Sequence, residues 1–438
     1  MKTKILSILL TVAMLVAMVP MIAVSAEEET GTVYPVGSIA EVVAFIADTT
    51  TKNVAGNTMK LTADLDYTGD SLPVYTDKGT NYVDGMWTGL KANVDGNGHT
   101  VKVPGGSYYW GWILCDLDDS TEGTKHIFEN LKIVMPENES AAKTGSFIGL
   151  FGRNFEKNNE LVVKNCYFDL KLQGGSRGSG ALFGELSAVC SATITVKNSC
   201  FKVDNADGGV KGVLVGKRFS NTGSSEMVYN ISNCVFYAND GVNIIGDVFS
   251  GSTGETYKTT INADNNLICT GAGVYGSTLT AGFTKVTAGE NPVTTVTGYQ
   301  TTTVANDQFD LRLVGLVDLG EEGKLADYTK VGFIVEASYG ATPNTITKWM
   351  NAASTKVYTS LKGYEGEPGL VEYTAEELGG NYLYALAIKN IPAAALEGEG
   401  ITFTVKPYYV DTNGNAMFGA EETFTVTSVP SDSANVAA

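Results

Sequence analysis

The sequence predicts an all-β fold built mainly from a solenoid of stacked parallel β-coils, and two phrases that repeat in phase are the reason. The first phrase is an asparagine followed by apolar residues, and its copies begin at Asn130, Asn165, Asn198, Asn233 and Asn265. These asparagines are 35, 33, 35 and 32 residues apart. A period of this length is typical of repeat folds, in which each unit buries its apolar face against the next.

The second phrase is a pair of apolar residues followed by a glycine, and it keeps step with the first. Its glycines are Gly152, Gly184, Gly216, Gly246 and Gly276, which lie 32, 32, 30 and 30 residues apart. Two phrases that share one period favour stacked units, with a glycine at a bend of each unit.

Between the two phrases lies a β-type run, clearest at 193–197, where Ile194 and Val196 alternate with polar neighbours. This alternation is typical of a half-buried strand. A strand, one asparagine and a second strand describe a tight corner, because asparagine tolerates the left-handed backbone region. Stacked corners would let each amide bond to the amide one coil away. We therefore expect a structural ladder of Asn130, Asn165, Asn198, Asn233 and Asn265.

These repeats resemble the right-handed parallel β-helix of the pectate-lyase-like superfamily, and most closely the repeats of secreted bacterial surface proteins without evident enzymatic motifs. The run Asp95-Gly96-Asn97-Gly98-His99-Thr100 is similar to the first coil of many such proteins. The resemblance covers roughly residues 35 to 285. It implies the fold and its handedness, but almost nothing about activity.

The chain is expected to begin with a signal peptide at 1–26. Lys2 and Lys4 precede an apolar run that ends in small residues, which is the pattern of a secretory leader. A segment with a capping helix follows at 27–58, and its first ten residues are expected to be frayed. In that helix Ser38 and Glu41 have the spacing of a capping box. We expect the helix to cover the open end of the solenoid, which would otherwise recruit other chains.

The remaining boundaries are a parallel β-helix at 59–290, a linker at 291–307, a β-sandwich at 308–428 and a disordered tail at 429–438. The threonine-rich stretch at 286–307 that contains the linker fits a linker alone or a last strand followed by a linker. Five apolar strands are expected in the sandwich, at 309–317, 331–336, 382–389, 402–410 and 423–426. Short strands at such intervals suggest an immunoglobulin-like (Ig-like) module. The phrases at 328–333 and 403–408 resemble accessory modules of secreted clostridial-type proteins.

Charge and cysteine content restrict the partners and the chemistry. The formal net charge is -18, which makes nucleic acid and acidic membranes poor partners. No apolar run after the leader is long enough to span a bilayer, so no membrane span is expected in the mature chain. Six cysteines in an exported chain could form three disulfides. We favour free buried thiols, since Cys166, Cys200 and Cys234 recur at one corner, with Cys200 offset by one place.

An aromatic run is the first candidate binding site. Tyr108, Trp110 and Trp112 alternate, so on a strand they share one face, and a row of flat rings can stack sugar rings. The alternative is that they pack beneath the long excursion at 66–92. That excursion is expected to be ordered by its own aromatics or by a ligand.

Basic residues near the glycine turns are the second candidate site. They are Arg153, Arg177, Lys217 and Arg218. A basic row could hold a uronic-acid polymer, because arginine grips carboxylates in a fork. The alternative is ordinary surface charge, and Glu185 occupies the equivalent place in one unit.

A carboxylate cluster is the one candidate metal site. Asp116, Asp118 and Asp119 could bind calcium, which prefers several oxygen ligands. The alternative is a solvated turn, since the spacing of a calcium loop is missing. No other cofactor is expected.

Three functions fit these observations. The first is a secreted, non-catalytic binding or display protein that contacts polysaccharide or a host molecule through the solenoid flank, with or without attachment to the bacterial surface. The second is a polysaccharide lyase or glycoside hydrolase with an unfamiliar site, and the third is a structural spacer. Catalysis is disfavoured, because the paired carboxylates of glycosidases are missing and His99 and His126 lie in no catalytic phrase. His99 is expected to bond to backbone.

Overall fold

The computed structural model of the 438-residue chain describes residues 21–22, 31–68, 74–77, 80–83, 85–108, 113–117, 123–137, 139–144, 147–152, 159–173, 178–187, 192–205, 211–219, 225–248, 257–270, 273–274, 280–286, 294–304, 307–318, 328–340, 346–358 and 381–428. They divide into two compact units. The solenoid unit contains 31–286 and 346–350, and the second unit contains 21–22, 294–340 and 351–428.

The chain is mostly β-strand, with little helix. Up to residue 286 its elements are β1 (Met21–Ile22), β2 (Val33–Val36), α1 (Ile39–Ala47), β3 (Thr58–Leu61), β4 (Leu65–Asp66), β5 (Val74–Asp77), β6 (Thr80–Val83), β7 (Asn93–Asp95), β8 (Thr100–Lys102), β9 (Gly106–Tyr108), β10 (Lys125–Glu129), β11 (Lys132–Val134), β12 (Ala142–Thr144), β13 (Phe147–Ile148), β14 (Glu160–Lys164), β15 (Tyr167–Gln173), β16 (Gly178–Ser179), β17 (Phe183–Ser187), β18 (Ala192–Lys197), β19 (Cys200–Asn205), β20 (Gly212–Phe219), β21 (Ser225–Ser232), β22 (Val235–Ala238), β23 (Asn243–Val248), β24 (Tyr257–Asp264), β25 (Asn266–Ile268) and β26 (Phe283–Val286).

The second stretch of the chain continues this numbering. Its elements are β27 (Thr294–Val304), β28 (Gln308–Val317), β29 (Tyr328–Tyr339), β30 (Ile346–Ser354), β31 (Tyr382–Pro392), a 3-10 helix (Ala393–Leu396), β32 (Ile401–Asp411), β33 (Asn415–Phe418) and β34 (Glu422–Val426).

The solenoid unit is a parallel β-solenoid, as the repeats predict. Its first sheet stacks β2, β3, β7, β10, β14, β18, β21 and β24 in that order. Its second sheet stacks β4, β8, β11, β15, β19, β22, β25 and β26, and its third sheet stacks β17, β20 and β23. All strand pairs within these sheets are parallel. In the coils that begin at β14, β18 and β21, the chain crosses the first sheet, turns at an asparagine, and crosses the second and third sheets.

The corner asparagines form the expected ladder, which confirms the inference on which the fold prediction rested. Their φ angles lie between 47° and 55°, in the left-handed region. The Nδ2 of each residue donates to the side-chain oxygen one coil earlier, at 2.9 to 3.3 Å. The first acceptor is the carboxylate of Asp95, which is 3.4 Å from the Nζ of Lys60. We call Asp95, Asn130, Asn165, Asn198, Asn233 and Asn265 the corner ladder.

Aromatic rings fill the interior behind the second sheet. The rings of Phe168 and Phe201 stack 4.6 Å apart with planes 14° apart, and Phe201 and Phe236 continue the stack at 5.5 Å. All three side chains are buried. Burial of a phenylalanine stabilises a fold by about 1.5–3 kcal/mol, and a ring pair adds about 0.5–1.5 kcal/mol. This stack therefore holds successive coils together.

The glycine phrase supplies the third side of each coil. The amide of Phe151 donates to the carbonyl of Leu182 at 2.9 Å, and the amide of Leu182 donates to the carbonyl of Leu214 at 3.0 Å. A Cβ on Gly216 would collide with the backbone of Ser179 and Gly184 in the preceding coil. Glycine recurs here because two backbones come into direct contact.

Helix α1 lies at the start of the solenoid unit. The Oγ of Ser38 accepts the amide of Glu41 at 3.3 Å, and the Glu41 carboxylate accepts the amide of Gly37 at 2.6 Å. Val42 and Phe45 are buried in the solenoid core. The preceding residues are not all frayed, since β2 pairs in parallel with β3.

The long excursion at 66–92 is ordered in part by its own aromatics, as expected. Strands β5 and β6 form an antiparallel hairpin within it. Trp87 is fully buried, and its Nε1 donates to the Tyr67 hydroxyl at 2.9 Å. This bond satisfies the polar end of an otherwise apolar side chain, so the excursion is anchored at both ends.

The second unit consists of antiparallel strands with one parallel addition. β28 lies between β27 and β31, and β1 pairs in parallel with β31, which makes this sheet mixed. β32 pairs with β29 and also with β33 and β34. The ring of Phe333 in β29 stacks on Tyr384 of β31 at 4.7 Å. The prediction of a linker at 291–307 is wrong for its threonine-rich part, because residues 294–304 form β27 and pair with β28.

Candidate binding surface on the solenoid

A row of lysines and tyrosines crosses four coils on the outward face of the second sheet. Along β11 and β15, buried apolar residues alternate with side chains that are partly exposed, and Lys202 of β19 and Tyr237 of β22 continue this face. Lys132 of β11 is in register with Tyr167 of β15, and Lys202 of β19 is in register with Tyr237 of β22. We call Lys132, Tyr167, Lys202 and Tyr237 the outer stripe.

Ammonium groups and rings alternate along the outer stripe. The Nζ of Lys132 lies 5.2 Å from the ring centre of Tyr167, and the Nζ of Lys202 lies 5.3 Å from the same ring. Lys202 is also 5.9 Å from the ring centre of Tyr237. Each such contact is worth about 0.5–1 kcal/mol at an exposed site. These contacts hold long lysine side chains in place, which lowers the entropy cost of binding a ligand.

A chain of polar contacts runs through the middle of the stripe. The hydroxyl of Tyr167 donates to the Asp169 carboxylate at 3.4 Å and interacts with the Lys202 ammonium. Burial raises the pKa of Tyr167 to about 12, although the bond to Lys202 acts against it. Burial lowers the pKa of Lys202, but its bond to Tyr167 and nearby negative charge outweigh this, and the net pKa is raised. Tyr167 therefore stays neutral and Lys202 stays charged at neutral pH.

The far end of the stripe is more enclosed. Burial raises the pKa of Tyr237 strongly, and the nearby thiols of Cys269 and Cys200 raise it further. In the row that contains Tyr167, the later residues Cys200, Val235 and Leu267 are buried although they face outward. On the other side of the stripe, the Nδ2 of Asn239 donates to the Asp204 carboxylate at 2.9 Å.

The outward face of the first sheet has a different character. An amide–hydroxyl series runs from Asn262 through Asn230 to Thr195, with bonds of 2.9 and 3.3 Å. Next to it, Lys258 is 66% exposed and its Nζ is 2.7 Å from the Glu226 carboxylate. This ion pair belongs to β21 and β24 and so lies on a different sheet from the outer stripe. Lys258 therefore provides a matched control for the lysines of the stripe.

The predicted aromatic site is described only at its beginning. Tyr108 ends β9, and its backbone is in register with Thr144 of β12. Trp110, Trp112 and the side chain of Tyr108 lie outside the described residues. Sugar stacking on these rings stays a prediction.

The predicted basic row is interrupted by acidic residues where the structure describes it. Lys217 is in register with Glu185 in the preceding coil and with Asp247 in the following coil. Glu185 is fully buried, so this position does not form an open basic surface. Arg218 lies in register with Leu186 and Val248, while its side chain, Arg153 and Arg177 lie outside the described residues.

The predicted calcium site also lies mostly outside the described residues. Asp116 is described and lies beside Gly152, whereas Asp118 and Asp119 are not. Within the parts of the chain that the structure describes, no three His, Cys, Asp or Glu side chains are grouped as a metal site. Calcium binding stays a prediction.

The histidines and cysteines are mostly interior residues. His99 is buried, and its Nδ1 lies 3.2 Å from the Asp64 carboxylate instead of bonding to backbone as expected. His126 is buried on β10. Cys115, Cys166, Cys200 and Cys234 are buried thiols that are not in a disulfide, which confirms the prediction for these four. Cys269 is also a thiol and is partly exposed, and Cys190 lies outside the described residues.

The outer stripe was missed in the sequence, although a signal exists. Lys132 and Tyr167 stand two places after their corner asparagines, and Lys202 and Tyr237 stand four places after theirs. Even offsets from the corner share one face of the following strand. Reading each coil by its offset from the asparagine would have found the stripe.

No family model, no curated protein and no solved structure matches the chain. Among the described residues, no helix is long and apolar enough to cross a membrane. What the structure itself defines is a protein whose larger unit is a parallel β-solenoid with an outward stripe of cations and rings.

Proposed function

We propose that this protein is a secreted, non-catalytic binding protein of the bacterial surface, and that the solenoid flank holds polysaccharide. The observation that carries this proposal is the outer stripe. Lysines fixed over tyrosine rings, with Asp169, Asp204 and Asn239 beside them, offer both donors and acceptors to sugar hydroxyls. Their regular spacing suits a polymer better than a single small molecule.

Several other features support this assignment. The leader-like start of the chain supports export, and the resemblance of the repeats to pectate-lyase-like β-helices supports a right-handed solenoid of the bacterial surface type. We propose that α1 covers the open solenoid end, since Val42 and Phe45 are buried in its core. We also propose that the second unit is an Ig-like module that displays the solenoid, because its sheets contact each other through Phe333 and Tyr384.

A glycan array with matched variants tests the proposal. We expect the double variant Lys202→Ala/Tyr237→Ala to lose polysaccharide binding by about tenfold or more, which corresponds to about 1.4 kcal/mol or more. Lys258→Ala should bind as the parent does, because Lys258 lies on the first sheet. Circular dichroism melting checks that both variants are folded.

The same panel separates binding from catalysis. Parent protein incubated with the bound polysaccharides should release neither reducing ends nor unsaturated ends. Release of either product would favour the enzyme alternative. Equal binding by the parent and the stripe variant would place the ligand elsewhere.

A further inference from the structure

We infer that the ligand is an uncharged, extended linear polysaccharide that lies along the solenoid axis with one sugar on each coil. This inference rests on the proposed function and specifies its ligand. The stripe presents one long polar or aromatic side chain per coil over four successive coils, from Lys132 to Tyr237. A linear polymer with one sugar per coil would meet an equivalent partner at every step.

Spacing supports this alignment. Neighbouring parallel strands are about 4.8 Å apart, which sets the axial repeat of any outward row. The steps between ammonium nitrogens and ring centres along the stripe are 5.2, 5.3 and 5.9 Å. The first and last steps join residues in register, and the middle step crosses to the neighbouring row. The strand spacing and the nitrogen-to-ring distances are both close to the length of one pyranose unit in an extended polysaccharide. A strongly coiled polymer would lose register after one or two coils.

The charges near the stripe favour a neutral polymer. Lys132, Lys171 and Lys202 share the outward face of the second sheet with Asp169 and Asp204, so the carboxylates offset most of the positive charge. Asp169 also contributes to the raised pKa of Lys202, which shows that the two charges interact. The whole chain has a net charge of -18, so a polyanion would be repelled at long range.

The polar groups beside the stripe suit sugar hydroxyls. A hydroxyl can donate to a carboxylate and accept from an ammonium or amide at the same time. Asp204 and Asn239 are bonded to each other at 2.9 Å and are in neighbouring coils, so they form one fixed acceptor–donor pair. Fixed pairs bind with less loss of side-chain entropy than free ones.

The length of the stripe predicts how affinity depends on ligand length. Affinity should rise from disaccharide to tetrasaccharide and then level off, because four coils carry the stripe. Isothermal titration calorimetry with neutral β-linked series, such as cello-, xylo- and chito-oligosaccharides, measures this directly. Binding of the preferred series should change less than about twofold between low and high salt, since an uncharged ligand has no charge for salt to screen.

End and middle variants give the sharpest test. Tyr237→Ala removes the last position, so the plateau should move from tetrasaccharide to trisaccharide. Tyr167→Ala removes an inner position and should weaken tri- and tetrasaccharides by about tenfold, whereas a disaccharide can still use the positions of Lys202 and Tyr237. A merely structural role for Tyr237 would lower all affinities without moving the plateau.

Each other outcome has a defined meaning. Stronger binding of oligogalacturonates, with steep salt dependence, would overturn the neutral ligand. Binding that does not depend on oligosaccharide length would overturn the alignment of one sugar per coil. Absence of binding to any glycan would instead overturn the proposed function itself, which distinguishes the two failures.

Discussion

Asn198 performs two tasks at its corner, one by its backbone and one by its side chain. Its φ of 47° lies in the left-handed region, which costs most residues about 1–2 kcal/mol. Its amide also joins the corner ladder, where it donates to Asn165 at 3.2 Å and accepts from Asn233 at 3.1 Å. Asparagine combines a tolerance of this conformation with a short side chain that both donates and accepts.

Two substitutions separate these tasks. Asn198→Gly keeps the conformation but removes both ladder bonds, and we expect it to lower the free energy of unfolding by about 1–3 kcal/mol. Asn198→Ala also forces an alanine into the left-handed region and should cost about 1–2 kcal/mol more. Urea unfolding followed by circular dichroism measures both values. Parent-like stability of the glycine variant would show that the ladder contributes nothing.

The residue after each corner asparagine faces the interior. Cys166, Ser199, Cys234 and Asn266 occupy this place in successive coils. The Sγ of Cys234 donates to the carbonyl of Ser232 at 3.2 Å, and the Oγ of Ser199 donates to the carbonyl of Lys197 at 2.8 Å. A thiol and a hydroxyl thus make the same local bond, at Cys166, Ser199 and Cys234. The coils on either side have Leu131 and Asn266 at this place.

Because serine and cysteine make the same bond at this place, replacing Cys234 by serine should change how the free energy of unfolding depends on alkaline pH. Burial raises the pKa of the Cys234 thiol from 9.0 to about 12. As pH rises, the thiol of the unfolded chain ionises before the buried thiol of the folded protein. The stabilisation of the folded state by the protonated Cys234 is therefore complete below pH 9.0 and is lost between pH 9.0 and about pH 12. The loss should be about 1.4 kcal/mol per pH unit. Cys234→Ser should reduce this slope and keep near-parent stability at neutral pH.

Urea unfolding in a series of neutral to alkaline buffers checks the prediction. The difference between the parent and Cys234→Ser isolates this thiol from the other titrating groups. Identical slopes for the two proteins would mean that Cys234 ionises in the folded state. Ser199→Ala serves as a control without a titratable group.

At the scale of elements, α1 depends on one apolar face. Phe45 is 2% exposed and its ring lies 5.9 Å from Tyr34 of β2, whereas Val43 is 61% exposed. A nine-residue helix is too short to be stable alone, so its packing must hold it in place. The helix and the first coil should therefore be lost together.

Alanine substitutions on the two faces test this dependence. Phe45→Ala should lower the free energy of unfolding by about 3–5 kcal/mol, because it leaves a cavity against the solenoid core. Val43→Ala should change it by less than about 0.5 kcal/mol. If α1 also covers the solenoid end, Phe45→Ala should promote association, measured by light scattering. Equal stability of the two variants would contradict the packing argument.

At the scale of the whole molecule, the repeat was readable because its physical requirements are narrow. Few residues tolerate the backbone of Asn198, and only glycine fits at Gly216. The outer stripe was not readable in the same way, since any residue can occupy an outward position. β27 was mistaken for a linker because its threonines suit both an exposed strand and a flexible segment. Its pairing with β28 is a long-range outcome that local composition does not specify.

The corner ladder has a direction, and this bears on how such a chain can change length. Each amide donates toward the preceding coil, and the series stops at Asp95, whose carboxylate cannot donate. Copying one whole coil between Asn130 and Asn265 keeps every match of donor and acceptor. If a coil were added ahead of Asp95, the side-chain oxygen of the new corner asparagine would receive no hydrogen bond, because the Asp95 carboxylate cannot donate one. Gene duplication can therefore lengthen the solenoid between Asn130 and Asn265, while the start of the corner ladder is fixed by a single acidic side chain.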